Sequence, residues 1–151
     1  MPGWLKAFLI VATVVVLLVV GVVAGGVYLF TRSKDALIAR SKAITTEGTD
    51  FGHQTDNQGC VNESVSRYKK EPGFTSSIST TMFLTACLDT SRPTRGFCAE
   101  VPNQRNYSKS PEWRIEQCRH FDLASDKYCP EFFGPVQRFC ERTLKPSSPG
   151  W

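Results

Sequence analysis

The feature that most constrains this chain is an apolar run near its N-terminus. No charged residue occurs from Ala7 to Thr31, and Val, Leu and Ile dominate the run. A helix rises about 1.5 Å per residue, so a run of this length exceeds the roughly 30 Å hydrocarbon core of a bilayer. In lipid every backbone N–H and C=O must be paired within the segment, which favours a helix for an isolated stretch. The run therefore predicts one transmembrane helix over residues 7–31.

A cleaved signal peptide is the alternative interpretation of the same run. Val22 and Ala24 would supply small residues ahead of a cleavage point after Ala24. The run is longer than the usual apolar core of a signal peptide, however, and it continues beyond that point to Phe30. The sequence therefore favours an uncleaved signal-anchor that holds the protein in the bilayer.

Within this run, Gly21 and Gly25 form a GxxxG spacing. Small residues one turn apart let two helix backbones approach closely in a membrane. The spacing predicts helix-helix packing at these glycines, with a protein partner or with a second copy as a homodimer. Glycine is also common in membrane helices in general, which is the competing explanation.

The second constraining feature is a set of six cysteines, all of them C-terminal to the apolar run. A domain of this size gains little stability from its core alone, and an even cysteine count is typical of disulfide-stapled domains in oxidising compartments. Six cysteines permit fifteen pairings, and sequence does not choose among them. Three pairs share an eleven-residue step: Cys87 with Cys98, Cys118 with Cys129, and Cys129 with Cys140. We expect disulfides among Cys60, Cys87, Cys98, Cys118, Cys129 and Cys140.

Two rules disagree about the orientation in the membrane. Basic residues are more frequent just after the run, from Arg32 to Lys42, than before it, where Lys6 stands, and the positive-inside rule then favours a cytoplasmic C-terminus. The cysteine pattern favours the opposite, because disulfides persist where thiols are not kept reduced. We give the cysteines more weight and expect a cytoplasmic N-terminus with a periplasmic, extracellular or lumenal C-terminal domain.

The expected fold class is mainly α, with one N-terminal transmembrane helix and a small disulfide-rich helical domain with irregular loops. Helical character continues after the membrane run as far as Gly48, a natural stop, and the polar stretch 49–59 is typical of a loop or linker. The predicted segments are a short cytoplasmic N-terminus at 1–6, the transmembrane helix at 7–31, a juxtamembrane stalk and linker at 32–59, the cysteine-rich domain at 60–144 and a flexible tail at 145–151.

Helical periodicity and breakers divide the cysteine-rich domain. A short helix from Cys60 ends at Glu71, and a second, over residues 76–90, shares a face of Phe83, Leu84, Cys87 and Leu88. Residues 91–110 are irregular because of their prolines and glycine. Ser110 is expected to cap a helix with Ile115, Cys118 and Phe121 inward, and Gly134 to open the last helix with Val136, Phe139, Cys140 and Leu144 inward.

Charge and motifs exclude several classes of function. The net charge of +4 is mild and mixed, without the clustered basic stripe of a nucleic-acid-binding protein. There is no CxxC pair and no paired Cys/His spacing of zinc type, so neither a cofactor nor a metal is expected. Cys118 and His120 are the only close Cys/His neighbours.

The leading functional hypothesis is a membrane-tethered interaction or structural module, an accessory subunit of a membrane or envelope assembly. It rests on the absence of catalytic motifs and on the abundance of aromatic residues, which favour protein interfaces when exposed: Phe74, Phe97, Tyr107, Trp113, Phe132 and Phe133. The alternative is an envelope enzyme. It would be a thiol-disulfide oxidoreductase or a hydrolase that uses carboxylates such as Glu112, Glu116, Asp122 and Asp126.

Overall fold

A computed structural model describes residues 3–144, and all regular secondary structure within this range is helical. The mainly α expectation is therefore confirmed for this part of the chain. The chain divides into two compact units, the first ending at Arg40 and the second beginning at Ser41. The helices are α1 (Gly3–Gln54), α2 (Asn57–Lys70), α3 (Phe74–Thr90), α4 (Lys109–His120), α5 (Cys129–Phe132) and α6 (Gly134–Leu144).

The first unit consists of the N-terminal part of α1. Large apolar side chains from Ile10 onward, among them Val15, Leu18 and Val22, are exposed, and nothing in its most apolar 18-residue stretch is buried. A helix that leaves so many aliphatic side chains uncovered is unfavourable in water, because burial of apolar surface is the main driving force of folding. By length and composition this helix is a candidate membrane span, as the sequence predicted.

The expectation of a loop over residues 49–59 is wrong for most of that stretch. Helix α1 passes through Gly48 and continues to Gln54. Only Thr55 and Asp56 separate it from α2, where the Asp56 carboxylate caps the new helix by accepting from the Gly59 N–H at 2.8 Å. Gly48 does not stop the helix because it is buried against α3, and this packing stabilises the last turns of α1.

The last turns of α1 pack together with helices α2 and α3 in one layer of the second unit. Gly48 lies against Phe83, and Gly52 against Cys87 one turn later, so α1 and α3 run in the same direction. Helix α2 runs the opposite way, since Arg67 near its C-terminus bonds to Glu47 at 2.8 Å. The Arg67 guanidinium also lies over the Phe83 ring, 3.9 Å from its centroid. Arg67 thereby links α2 to α1 through an ion pair and to α3 through a cation-π contact.

Aromatic rings from α2, α3 and α5 fill the centre of the second unit. Tyr68, Phe83, Phe132 and Phe133 are almost completely buried. Ring centroids are 5.0 Å apart for Tyr68 and Phe132, and 4.6 Å apart for Phe132 and Phe133. The expected inward face of α3, formed by Phe83, Leu84, Cys87 and Leu88, is confirmed.

The start and inner face of α4 differ from expectation. Ser110 does not cap the helix. It lies inside α4, is buried, and donates from its hydroxyl to the Gln137 side-chain oxygen at 3.1 Å. The Asn106 side chain instead accepts from the Lys109 N–H at 3.1 Å, which satisfies one of the free donors of the first turn. Cys118 points inward as expected, whereas Ile115 is 42% exposed.

Helix α6 begins at Gly134 as predicted. Val136 and Cys140 are buried, and Phe139 is partly buried. Leu144, which the periodicity placed on the same face, is 64% exposed because α6 ends there, beyond the helices that cover its earlier turns. The predicted flexible tail, 145–151, lies outside the described residues, as does the start of the predicted N-terminal segment 1–6.

The six cysteines form three disulfides, which confirms the predicted disulfide-rich domain. The pairs are Cys60–Cys87, Cys98–Cys140 and Cys118–Cys129, separated by 27, 42 and 11 residues. The eleven-residue step therefore pairs Cys118 with Cys129 only. The other two bridges join elements that tertiary packing brings together, α2 with α3 and the loop before Val101 with α6.

Candidate interaction surface

A loop over residues 94–101 is held against the helices at its start and in its middle. At its start, the Thr94 N–H donates to the Asn57 side-chain oxygen at 2.9 Å, and the Asn57 amide donates to Ser91 at 2.8 Å. The loop then turns at Gly96, whose positive φ of 75° suits glycine. The Cys98–Cys140 disulfide holds the middle of the loop to α6. A loop fixed in this way can line a surface of defined shape.

A cleft of about 380 Å³ lies between this loop and helices α2, α4 and α6. Its apolar lining comes from Val61, Phe97, Val101, Trp113, Phe133 and Val136, and polar side chains of Gln58, Thr94, Arg95, Glu100 and Gln117 complete it. Concave apolar surface with a few polar groups is the usual composition of a binding site.

Trp113 of α4 is one of the aromatic side chains that line this cleft. It is partly buried and meets Phe133 edge to face, with ring centroids 6.2 Å apart. Phe133 in turn stacks on Phe121 at 5.9 Å. Trp113 and Glu100 also line an adjoining recess of about 640 Å³, together with Pro102, Lys109, Glu112, Ile115, Glu116 and Arg119. We call the cleft and the recess together the Trp113 surface.

A buried glutamine holds α4 in position behind this surface. The Gln137 side chain is fully buried and accepts from Arg114 Nε at 2.6 Å as well as from Ser110. Its amide donates to the Pro102 carbonyl at 3.1 Å. Gln137 thereby joins α6, α4 and the segment before α4, and its polar groups are satisfied where an unpaired group would be costly.

Asp126, one of the predicted catalytic candidates, has a structural role. One of its oxygens accepts from the Tyr68 hydroxyl at 2.6 Å and from the N–H groups of Tyr128 and Cys129 at 2.8 and 2.9 Å. Burial by itself would raise the pKa of the Asp126 carboxyl, but these three hydrogen bonds outweigh it and lower that pKa. Burial, followed by the bond to Asp126, raises the pKa of Tyr68. Asp126 therefore stays ionised and fixes the turn before α5.

The other three carboxylate candidates do not join it in one place. Glu112 and Glu116 line the recess beside Trp113, and Glu116 bonds to Arg119 at 2.9 Å. Asp122 lies with Asp126 at a different recess, formed by residues 119 and 122–126. The structure therefore places the four carboxylates in two pairs at different recesses, Glu112 with Glu116 and Asp122 with Asp126.

Cysteine and histidine chemistry is limited by the disulfides. All six cysteines are paired, and among them only Cys98 is more than marginally exposed. Cys118 is bonded to Cys129, so its thiol does not stand free beside His120, whose ring lies against Phe121 at 5.0 Å. Within residues 3–144, no group of three or more His, Cys, Asp and Glu is placed to hold a metal ion.

The six aromatic residues named from the sequence fall into three groups. Phe132 and Phe133 belong to the core, and Phe97 and Trp113 are partly buried in the wall of the cleft. Phe74 and Tyr107 are 62% and 90% exposed. The two glycines of the predicted membrane packing face, Gly21 and Gly25, have open space around them within this chain, which leaves room for a partner helix.

The sequence signal that was missed is a second GxxxG, Gly48 and Gly52, which packs α1 against α3. Its spacing is the same as that of Gly21 and Gly25. Comparison with known proteins adds nothing to this description, since no family model, no curated protein and no solved structure matches the chain.

Proposed function

We propose that this chain is a single-pass membrane-anchored module whose disulfide-stapled helical domain binds a protein partner outside the cytoplasm, as an accessory subunit of a membrane or envelope assembly. The observation that carries the proposal is the Trp113 surface. Trp113 lines both of its parts, apolar side chains line the cleft with it, and charged side chains line the cleft and the recess. Tryptophan is enriched among the residues that carry most of the binding energy in protein-protein interfaces.

Two further observations support the location. The exposed aliphatic helix of the first unit suits a bilayer better than water. Three disulfides suit an oxidising compartment, which favours a cytoplasmic N-terminus and a periplasmic, extracellular or lumenal domain. The charge asymmetry around the apolar run opposes this orientation. We give this asymmetry less weight, because a difference of a few charges is weaker evidence of orientation than three disulfides are.

Site-specific photocrosslinking in native membranes tests the proposal. A photoreactive residue is introduced into the full chain at Ala99, which is exposed and lines the cleft. The matched control carries it at His53, which is exposed on α1 and lines neither part of the Trp113 surface. We expect a discrete protein adduct from position 99 and none from position 53.

Two variants show whether the adduct depends on the Trp113 surface. Trp113→Ala should weaken binding by about 2 kcal/mol or more if Trp113 is the hot spot. Glu100→Lys reverses an exposed charge on the same surface and leaves the core intact. Loss of the adduct in this variant therefore cannot be attributed to misfolding. Both variants should reduce the adduct. Equal adducts at positions 99 and 53, or an adduct that neither variant changes, would contradict the proposal.

A further inference from the structure

The end of the second unit where the chain enters from the apolar run carries its own exposed surface. Helices α1 and α3 are parallel and α2 is antiparallel to both. The residues at the beginning of α3 and at the end of α2 therefore share the end at which Ser41 begins the unit. Phe74 and Ile78, at the beginning of α3, are 62% and 47% exposed.

Aromatic and basic side chains surround these two residues. The Phe74 ring lies 5.8 Å from that of Tyr128, and the Lys127 ammonium lies over the Tyr128 ring at 4.8 Å. Lys69 and Lys70, the last residues of α2, are exposed at the same end, as is Lys42 near the start of the unit. We call Phe74, Ile78, Tyr128, Lys69, Lys70 and Lys127 the Phe74 patch.

The charge balance of this end is positive. Glu71 and Asp122 are exposed carboxylates near the lysines. Asp126, which accepts hydrogen bonds from Tyr68, Tyr128 and Cys129, is a third carboxylate at this end. Four lysines, Lys42, Lys69, Lys70 and Lys127, therefore exceed the three carboxylates by one, and the patch combines apolar rings with exposed ammonium groups. Such a combination suits the interface of a bilayer, where rings enter the headgroup region and lysines reach anionic phosphates.

The length of the connecting chain limits how far this surface can lie from a membrane. Thr31 is the last residue of the uncharged run, and Ser41 begins the second unit. Ten residue steps span at most about 35 Å even when fully extended. Ser41 therefore stays within about 35 Å of the end of the apolar run, which limits the entropic cost of contact with the bilayer.

We propose that the Phe74 patch docks on the anionic headgroups of the membrane in which the chain is anchored. This inference rests on the proposed membrane anchor. Docking would hold the domain against the bilayer, so that its other surfaces face away from the lipid. A lipid surface is preferred over a second protein because the patch lies at the tethered end, where bilayer is always within reach.

Fluorescence quenching in vesicles tests this docking on the full chain. Phe74→Trp places a tryptophan at an exposed position, and Tyr107→Trp is the matched control. Residue 107 precedes α4, whose opposite end, at Phe121, lies beside Lys69 and Lys70. Each variant is reconstituted into phosphatidylcholine vesicles with or without phosphatidylglycerol. Part of the phosphatidylcholine is brominated near the top of its acyl chains, and the signal of the unsubstituted protein is subtracted.

In anionic vesicles we expect the tryptophan at position 74 to be quenched about twofold more strongly than the one at position 107. High salt, or Glu at Lys69, Lys70 and Lys127, should reduce this difference, because both weaken the attraction to anionic lipid. Equal quenching at the two positions would overturn the docking.

Flotation of the same vesicles distinguishes loss of the docking contact from loss of the membrane anchor. Protein that floats with the vesicles but shows equal quenching keeps its anchor and lacks the docking contact. Protein that does not float, or that alkaline carbonate releases, contradicts the anchor itself and with it the docking.

Discussion

Gly48 on α1 packs directly against the backbone of Phe83 on α3: a Cβ built at Gly48 would stand 2.5 Å from the Phe83 carbonyl oxygen. Gly52 repeats this relationship one turn later, where a Cβ would stand 2.6 Å from the Cys87 carbonyl oxygen. Contacts this close leave no room for a methyl group without a shift of backbone. The last turns of α1 are therefore an integral layer of the second unit.

This contact predicts that Gly48→Ala and Gly52→Ala each destabilise the domain. Alanine favours a helix interior over glycine by about 1 kcal/mol, so an exposed position would gain stability from the change. Overpacking against the α3 backbone should cost about 2–3 kcal/mol at contacts this close, which exceeds that gain and leaves a net loss of about 1–2 kcal/mol. Thermal unfolding of the full chain in detergent measures the effect.

The matched control for this pair is Asp50→Ala, between the two glycines on the exposed side of α1. It should change stability by less than about 0.5 kcal/mol. Equal or higher stability of both glycine variants would show that α1 and α3 are not in backbone contact.

Acid sensitivity should depend on Asp126. Its pKa is lower in the folded protein than in the unfolded chain, where an aspartate titrates near 3.9. Its contribution to stability is therefore complete above about pH 4 and is lost as the pH falls through the folded-state value. Asp126→Asn removes this ionisation, so the unfolding midpoint should fall less steeply below about pH 4 than in the unsubstituted protein.

Asp50→Asn is the control for this experiment, because it removes an exposed carboxylate from the same unit. Its acid profile should follow that of the unsubstituted protein. An Asp126→Asn profile as steep as the original would mean that other groups account for the acid loss.

The Cys98–Cys140 disulfide should hold the 94–101 loop, which lines part of the Trp113 surface, against α6. Replacing both cysteines with alanine opens a loop of 42 residues and should cost roughly 3–4 kcal/mol in the chain-entropy model. Hydrogen exchange of residues 94–101 should accelerate more than that of α2 and α3. The Cys118→Ala, Cys129→Ala protein is the comparison, and its 94–101 loop should exchange as in the unsubstituted protein. Equal acceleration throughout the domain in both proteins would contradict a local role for the bridge.

Gly21 and Gly25 remain predicted as a packing face between membrane helices. Replacing both with isoleucine should abolish close approach, because the interface requires small side chains. Energy transfer between two differently labelled copies in bilayers measures the pairing. Gly26→Ile, on a neighbouring face of the helix, should have a smaller effect. Energy transfer that is unchanged in the double variant would exclude pairing through these glycines.

Helix type and several boundaries could be predicted from local patterns. The face of α3 has an unbroken apolar spacing, and Gly134 precedes a short amphipathic segment, so periodicity and breakers were sufficient. The cysteine count predicted bridges, but the Cys98–Cys140 pairing depends on how α6 packs, which no local spacing encodes.

The errors occurred where tertiary contacts override local preference. Polar residues and glycines around Gly52 are typical of a linker, yet contact with α3 keeps them helical. Ser110 fits a helix cap by residue type, but it is buried beside Gln137, and its hydroxyl donates to that side chain instead of accepting from a backbone N–H. Asp126 looked like the other carboxylates in the sequence, because its hydrogen bonds from the Tyr68 hydroxyl and from two backbone N–H groups depend on the folded structure.

The most direct test of the central claim is to trap the cysteines in living cells and map them. Cells that make the full chain are treated with a membrane-permeant alkylating agent, and the protein from the membrane fraction is digested without reduction. A disulfide-stapled domain outside the cytoplasm predicts no alkylated cysteine and linked peptides for Cys60–Cys87, Cys98–Cys140 and Cys118–Cys129. Alkylated cysteines in the membrane-bound protein would place the domain in a reducing compartment and contradict the account.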